Sequence, residues 1–272
     1  MYQPSSAVIL ITGATSGFGK ACADHLHALG YRVYGTGRSP AEHPASPFEL
    51  IAMDVTDDSS VRRAIEYVLA REGRIDVVVN NAGFGLGGSI EDTSPEEAQA
   101  QLDTNVIGVL RVCRAVLPIM RRQGRGRIIN ISSIGGLMGL PFQGMYCASK
   151  YALEGMSEAL AIEVRGFGID VVLVEPGDFR TGFTAARRHT ADSQAHATYQ
   201  EMYRRALAVI EHDELHGPGP DALARLVARI IRARRPRLRY LIGVFYEYVG
   251  LLLRCVLPAR WWIALMRRYY RL

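Results

Sequence analysis

The apolar residues of this chain fall into two alternating patterns. Short runs that are apolar at almost every position recur at residues 7–12 (AVILIT), 31–36, 48–53, 75–79 (IDVVV), 127–132 and 170–175 (DVVLVE), with a last one at 239–243. Their length and β-branched content predict strands buried on both faces. Between them lie stretches with helical spacing: residues 17–29 closed by Gly30, 58–72, 95–122 with Pro95 in the first turn, the segment carrying Tyr146 as far as 165, and 220–235. Proline is tolerated in a first turn, and glycine past the last turn is a stop signal. Strands and helices that alternate with short connections predict one parallel sheet covered on both faces. The expected architecture is therefore α/β, a doubly wound sheet of about seven strands.

Composition narrows this only at the ends. With 272 residues, 49 % of them hydrophobic, the chain suits a single domain over residues 1–272 with a large core. The four cysteines show no CxxC or metal-ligand spacing, which points to a reducing compartment, the cytoplasm. The seven histidines form no HExxH; His25 and His27, like His212 and His216, read as surface polar residues, and no metal site is expected. The first six residues lack the basic-then-apolar order of a signal peptide. Net charge is +5, but it is unevenly placed: from residue 225 onward there are 12 arginines and a single acid, Glu247.

Candidate chemistry sits where the predicted strands end. The first strand runs into Thr12-Gly13-Ala14-Thr15-Ser16-Gly17-Phe18-Gly19 and then a helix. Glycines there let the backbone approach a pyrophosphate, and the helix N-terminus supplies N–H donors and a positive dipole, as in a Rossmann fold. The second strand ends at Thr36-Gly37-Arg38 with Ser39, where NAD-binding folds usually place an acid for the ribose 2′-hydroxyl. A cation and a hydroxyl suit a 2′-phosphate, so NADP(H) is expected ahead of NAD(H). Asp54 and Val55 end the third strand beside the expected adenine edge. Asn80-Asn81-Ala82-Gly83 ends the fourth, where asparagines can lock neighbouring loops and small residues leave room for a nucleotide. Asn105, a poor helix former inside an apolar helix, reads either as a satisfied buried amide or as a local backbone opening that holds a water.

The fifth strand delivers Ser133, and after a glycine-rich loop a helix carries Tyr146 and Lys150. Four residues is one helical turn, which puts phenol and ammonium on one face. A cation beside a phenol lowers its pKa toward working pH, and a hydroxyl can share the proton being moved. The choice of lysine is pointed, because the chain has only two, Lys20 and Lys150, against 30 arginines. The sixth strand closes with Pro176-Gly177-Asp178-Phe179-Arg180-Thr181. Ligands of open α/β sheets bind beyond the carboxyl ends of the strands, and every motif above falls at such an end.

Over residues 7–181 these motifs resemble the short-chain dehydrogenase/reductase family, and residues 135–155 look most like its 17β-hydroxysteroid and retinol dehydrogenase branch. The resemblance implies a ketone/alcohol oxidoreductase using NADP(H) on a hydrophobic substrate, steroid-, retinoid- or lipid-like. It implies Tyr146 as general acid/base, Lys150 lowering the Tyr146 pKa and holding the nicotinamide ribose, Ser133 polarising the substrate oxygen, and Asn105 in a proton relay. Thr181 would hold the carboxamide, with Pro176 and Gly177 lining the cofactor. The wall of the substrate pocket would include Leu140, Phe142 and Phe183. Two other classes share the motifs: a nucleotide-binding regulator, disfavoured by the complete Asn105, Ser133, Tyr146, Lys150 set, and a sugar-nucleotide epimerase or dehydratase, which needs a larger substrate domain.

Residues 183–217 lack a strand pattern and are expected to form a mobile helical flap over the substrate, with a lid helix at 201–211. Residues 244–272 mix seven tyrosines, tryptophans and phenylalanines with five arginines and are broken by Pro258. That run is too short to span a bilayer. It is expected to pack on a partner subunit or roof the pocket, with peripheral contact to a membrane surface as the alternative. A dimer or tetramer is expected, and nucleic acid is not, since no recognition motif accompanies the basic tail.

Overall fold

The computed structural model describes residues 2–3, 6–43, 45–194 and 197–272; Met1, Pro4 and Ser5 at the chain start and residues 195–196 of the expected flap lie outside them. The first half of the chain comprises β1 (Val8–Ile11), α1 (Gly17–Ala28), β2 (Arg32–Gly37), β3 (Glu49–Ala52), α2 (Asp58–Glu72), β4 (Val77–Asn80), β5 (Leu86–Gly87), α3 (Pro95–Leu102), α4 (Gly108–Gln123) and β6 (Gly126–Ile131). The second half adds α5 (Gly144–Glu163), β7 (Ile169–Pro176), β8 (Arg188–His189), α6 (Ala197–His216), α7 (Asp221–Arg232), β9 (Arg239–Ile242), α8 (Phe245–Val256) and α9 (Ala259–Tyr269).

Seven strands form one sheet in the order β3-β2-β1-β4-β6-β7-β9, all neighbours parallel. These are the seven apolar runs of the sequence. Their alternation sorts side chains between two cores. Ile9, Ile11, Val77, Val79, Ile129 and Val172 face α1 and α7, while Val8, Leu10, Val78, Ile128 and Val171 face α2, α4 and α5. A strand buried on both faces has no polar side, which is why the runs are continuous.

Two local features shape the site. The helix expected over 95–122 is interrupted by a π-helical turn, Asp103–Ile107, between α3 and α4. Its start is fixed by a capping box in which the Ser94 hydroxyl accepts from the Glu97 amide and the Glu97 carboxylate from the Ser94 amide. The helix carrying Tyr146 is locked to the sheet edge by Arg239 of β9, which pairs with Glu154 and Glu158 of α5 and with Glu175 of β7.

The region after residue 182 departs from expectation. Two-residue strands β5 and β8 pair in parallel, tying the segment to the loop beyond β4. The lid helix is also longer than residues 201–211, running as α6 through Ala197–His216. Strands of two residues carry no period to read in a sequence. At the C-terminus, the Tyr269 hydroxyl donates to Asp213 of α6 at 2.6 Å. Met266, Tyr270 and Leu272 pack with Ala206, Val209 and Ile210 of α6 and with Leu140 and Phe142. The inner face of α9 thus packs on α6 and on the loop of Leu140 and Phe142, and none of its residues lines the cleft.

Candidate active site

A cleft of about 740 Å³ opens along the carboxyl ends of the strands. Its floor at one end is the turn between β1 and α1, where Gly13, Thr15, Ser16, Gly17 and Phe18 line the space. Gly13 sits at φ +65°, in the left-handed region that favours glycine, and a Cβ on Gly19 would run into the Gly13 carbonyl. Gly19 accordingly lies behind the lining, where it lets α1 approach the turn. The fourth-strand asparagine locks this turn: Asn81 Nδ2 donates to the Thr12 carbonyl at 2.9 Å and the Gly13 carbonyl at 3.0 Å. In return the Thr12 hydroxyl accepts from the Asn81 and Ala82 amides, both at 2.9 Å. The result is a rigid cradle of backbone with no side chain filling it, which fits a pyrophosphate.

Arg38, Asp54 and Val55 border the same end of the cleft. Arg38 is exposed at the end of β2, with no ion pair among the described residues, while the Asp54 carboxylate is engaged by the Thr56 amide and hydroxyl at 2.9 and 2.7 Å. Ala82, Gly83, Pro176, Gly177 and Thr181 line the middle. The loop after β7 is pinned from the far C-terminus: the Glu247 carboxylate of α8 accepts from the Asp178 amide at 2.5 Å and the Val244 amide at 2.6 Å. A side chain on Gly177 would collide with that carboxylate. Glu247 is the lone acid of the arginine-rich tail, the one signal in the sequence that it has a structural task.

At the far end of the cleft stand Ser133, Tyr146 and Lys150, all buried. Burial pushes the Tyr146 phenol above its ordinary value, and a hydrogen bond with Ser133 pulls it partly back. The sequence predicts that Lys150 lowers this pKa. Here Lys150 Nζ is 5.9 Å from the centre of the Tyr146 ring and donates to the Ile131 carbonyl at 2.8 Å, and the phenol is instead raised, by burial above all. Lys150 itself is brought down to about 8 by burial, against a counter-pull from Glu154. The arrangement can hold a protonated phenol beside a second hydroxyl, ready to deliver a proton to an oxygen in the cleft.

Asn105 lies on the π-helical turn as a buried amide. Its amide is satisfied, with Oδ1 accepting from the Phe84 amide at 3.1 Å and Nδ2 donating to the Phe84 carbonyl at 3.0 Å and the Ser149 hydroxyl at 3.1 Å. The backbone is also locally opened, by the wider turn at Asp103–Ile107. Leu140 and Phe183 line the cleft as expected. Phe142 does not; it sits behind the wall, 5.3 Å from the Tyr203 ring, with φ at +59°. The backbone there turns its ring toward α6 rather than the cleft.

The sequence missed a buried ion pair. Glu214 of α6 lines the cleft, accepts from the Thr184 hydroxyl at 2.7 Å and pairs with Arg187, whose side chain is 1 % exposed. Arg187 Nε and Nη1 are buried with no partner among the described residues. Both charges act on the Tyr146 phenol, Glu214 raising and Arg187 lowering its pKa, which places the pair near the reacting end. Nothing local marks these residues; only the fold of the flap brings them together.

A family model described as short chain dehydrogenase matches residues 7–192. The chain belongs to this family. Among curated relatives, a "3-ketodihydrosphingosine reductase" of Bacteroides thetaiotaomicron is 48 % identical over 87 % of this chain and 87 % of its own length. Human 17-beta-hydroxysteroid dehydrogenase type 1 is 36 % identical over 86 % of this chain and 76 % of its own. A solved short-chain dehydrogenase from Streptomyces avermitilis, 35 % identical, superposes with a TM-score of 0.82 over 100 % of this chain and 99 % of its own. Other similar solved members hold NAD or NADP. The doubly wound sheet is therefore the family's, and the chain is an oxidoreductase.

The C-terminal lock on this family scaffold predicts a pH effect. The Asp178 carboxyl is pushed up to about 8, first by burial and then by the Glu247 charge. A folded-state pKa raised above the unfolded one stabilises below the unfolded pKa, near 4, and that contribution is lost as pH rises through about 8. Asp178→Asn is expected to flatten the fall in melting temperature between pH 5 and pH 9, measured by thermal denaturation; an unchanged slope would remove Asp178 as its cause.

Proposed function

We propose that the chain is an NADPH-dependent reductase of a long-chain ketone bearing a polar head beside the carbonyl, with 3-ketodihydrosphingosine as the first substrate to test. The observation that carries this reading is the buried Arg187–Glu214 pair near Tyr146. A steroid ring ketone offers hydrocarbon around its carbonyl, against which a buried charge pair would be poorly solvated. 3-Ketodihydrosphingosine carries an amino group on the carbon next to the ketone, a hydroxyl one carbon further, and a long alkyl chain. The Glu214 carboxylate, which lines the cleft with Arg187 paired behind it, suits the ammonium. The similarity to the Bacteroides reductase, at 48 % identity, supports the same substrate class.

The cradle at Gly13–Phe18 suits a dinucleotide pyrophosphate, and Arg38 with Ser39, in place of an acid, suits a ribose 2′-phosphate. A bound reduced nicotinamide supplies the hydride to the carbonyl carbon. The protein supplies the rest. Ser133 donates a hydrogen bond to the carbonyl oxygen as negative charge develops there. Tyr146, kept protonated by burial, passes its phenolic proton to that oxygen, so the carbonyl π bond opens as C–H and O–H bonds form. Lys150 would hold the nicotinamide ribose and stabilise the phenolate left behind, and the opened backbone at Asn105 would lead replacement protons in from solvent.

Turnover of 3-ketodihydrosphingosine, followed as NADPH absorbance lost, is the expected result. Glu214→Gln keeps the size of the side chain and its bond to Thr184. It is expected to lower kcat/KM for the amino ketone by about ten- to a hundredfold, and to change that for a long-chain ketone without the amino group far less, since there it acts only through the Tyr146 phenol. Equal losses on both substrates would overturn the role of Glu214. No turnover of either ketone would overturn the reductase reading itself.

A further inference from the structure

The outward surface of the last two helices is not a solvated one. Along α8, Phe245 (82 % exposed), Val249, Leu252 (63 %) and Val256 (65 %) recur at helical spacing and form one uncovered apolar stripe. On α9, Trp261 (59 %), Ile263 (57 %) and Leu265 are exposed as well. Arg254, Arg260, Arg267 and Arg268 are exposed among these residues, and the one acid of the two helices, Glu247, is turned inward onto the Asp178 and Val244 amides. The face therefore offers apolar area and cations with no anion of its own.

Contiguous exposed apolar surface of this kind marks a docking site. A twofold contact with a second copy would set this face against itself and bring arginine against arginine. An anionic bilayer has the opposite charge, and its interface accepts tryptophan, phenylalanine and aliphatic side chains at headgroup depth with guanidiniums at the phosphates. No helix among the described residues is long and apolar enough to cross a membrane, so the helices would lie in the surface.

We infer that α8 and α9 form a peripheral docking face for an anionic phospholipid bilayer. The charge distribution selects this occupant over a second copy. On the opposite side, Met266 of α9 and Tyr270 just beyond it pack in one cluster with Ile210 and with Leu140, which lines the cleft. Docking would thus hold that end of the cleft at the lipid surface, one helix away from the acyl region. The inference stands on the exposed face alone and does not depend on the substrate assignment.

The chain carries its own reporter, because its two tryptophans are Trp261 and Trp262, both in α9. The full chain, mixed with phosphatidylcholine vesicles containing phosphatidylglycerol, is expected to show a blue-shifted tryptophan emission and to sediment with the vesicles. Both effects should weaken as salt is raised. Arg260→Glu/Arg267→Glu/Arg268→Glu is expected to reduce vesicle binding more than tenfold, with the circular dichroism spectrum and NADPH turnover of a water-soluble ketone unchanged. No emission shift and no sedimentation with anionic vesicles would overturn the proposal, as would equal binding to pure phosphatidylcholine. A Phe245→Ser/Trp261→Ser variant that loses a dimer in sedimentation velocity, while vesicle binding stays the same, would assign the face to self-association and overturn it too.

Discussion

Replacing Tyr146 with phenylalanine is expected to lower kcat for ketone reduction by about 10²- to 10⁴-fold, the usual contribution of a positioned general acid. The substitution removes one oxygen from a side chain that is already buried, so the hydrocarbon packing against Phe183, at a ring separation of 5.8 Å, remains. Stability and cofactor affinity should therefore change little. Steady-state kinetics on the variant, with the dinucleotide dissociation constant measured by fluorescence titration, separate the outcomes. A variant with near-native kcat would sink the assignment of the acid, and one with lost affinity would make Tyr146 a binding residue instead. A protonated phenol is the form that reduction needs, and burial supplies it. Lys150, at about 8, carries its charge below that pH, so its support for the phenolate weakens as pH rises through 8.

Arg38→Asp is expected to invert the cofactor preference by about a hundredfold or more in the ratio of kcat/KM values for NADPH and NADH. A charge-assisted bond to a 2′-phosphate is worth about 1.5–3 kcal/mol, roughly ten- to more than a hundredfold, and the new carboxylate would repel the phosphate as well as accept from a free 2′-hydroxyl. Arg38 is exposed, without an ion pair among the described residues, so its loss should leave the fold intact. An unchanged ratio would refute the 2′-phosphate role. The measurement is a pair of saturation curves, one per cofactor, for the native chain and the variant.

Much of this site could be read before any coordinates, because its parts are local. A strand such as Val8–Ile11 must be apolar at every position to lie inside a covered sheet, and that leaves a run visible in the sequence. The turn after it needs Gly13 at positive φ and Gly19 against a carbonyl, constraints that only glycine meets. Tyr146 and Lys150 share a face because a helix repeats every 3.6 residues. Phe142 shows the limit. Its neighbours place it in the right loop, yet a left-handed backbone turns its ring away from the cleft and under α6.

The sequence by itself determined the α/β class, the strand ends and the residues that meet along them, since each follows from a period or a backbone constraint within a few positions. Only the tertiary structure decided which parts of the variable end complete the site. Glu214 reaches the cleft with Arg187 paired behind it, and Glu247 pins the loop after β7, because the packing of α6 and α8 brings residues 27 apart together in one case and 69 apart in the other. The paired strands β5 and β8 hold the flap in place although neither is long enough to leave a pattern. Side-chain burial at such points depends on how separate elements pack, and no local periodicity encodes that. The same holds for the outer face of α8 and α9, whose aromatic and arginine content is plain in the sequence. Only packing shows which residues of it turn inward onto α6 and which are left uncovered.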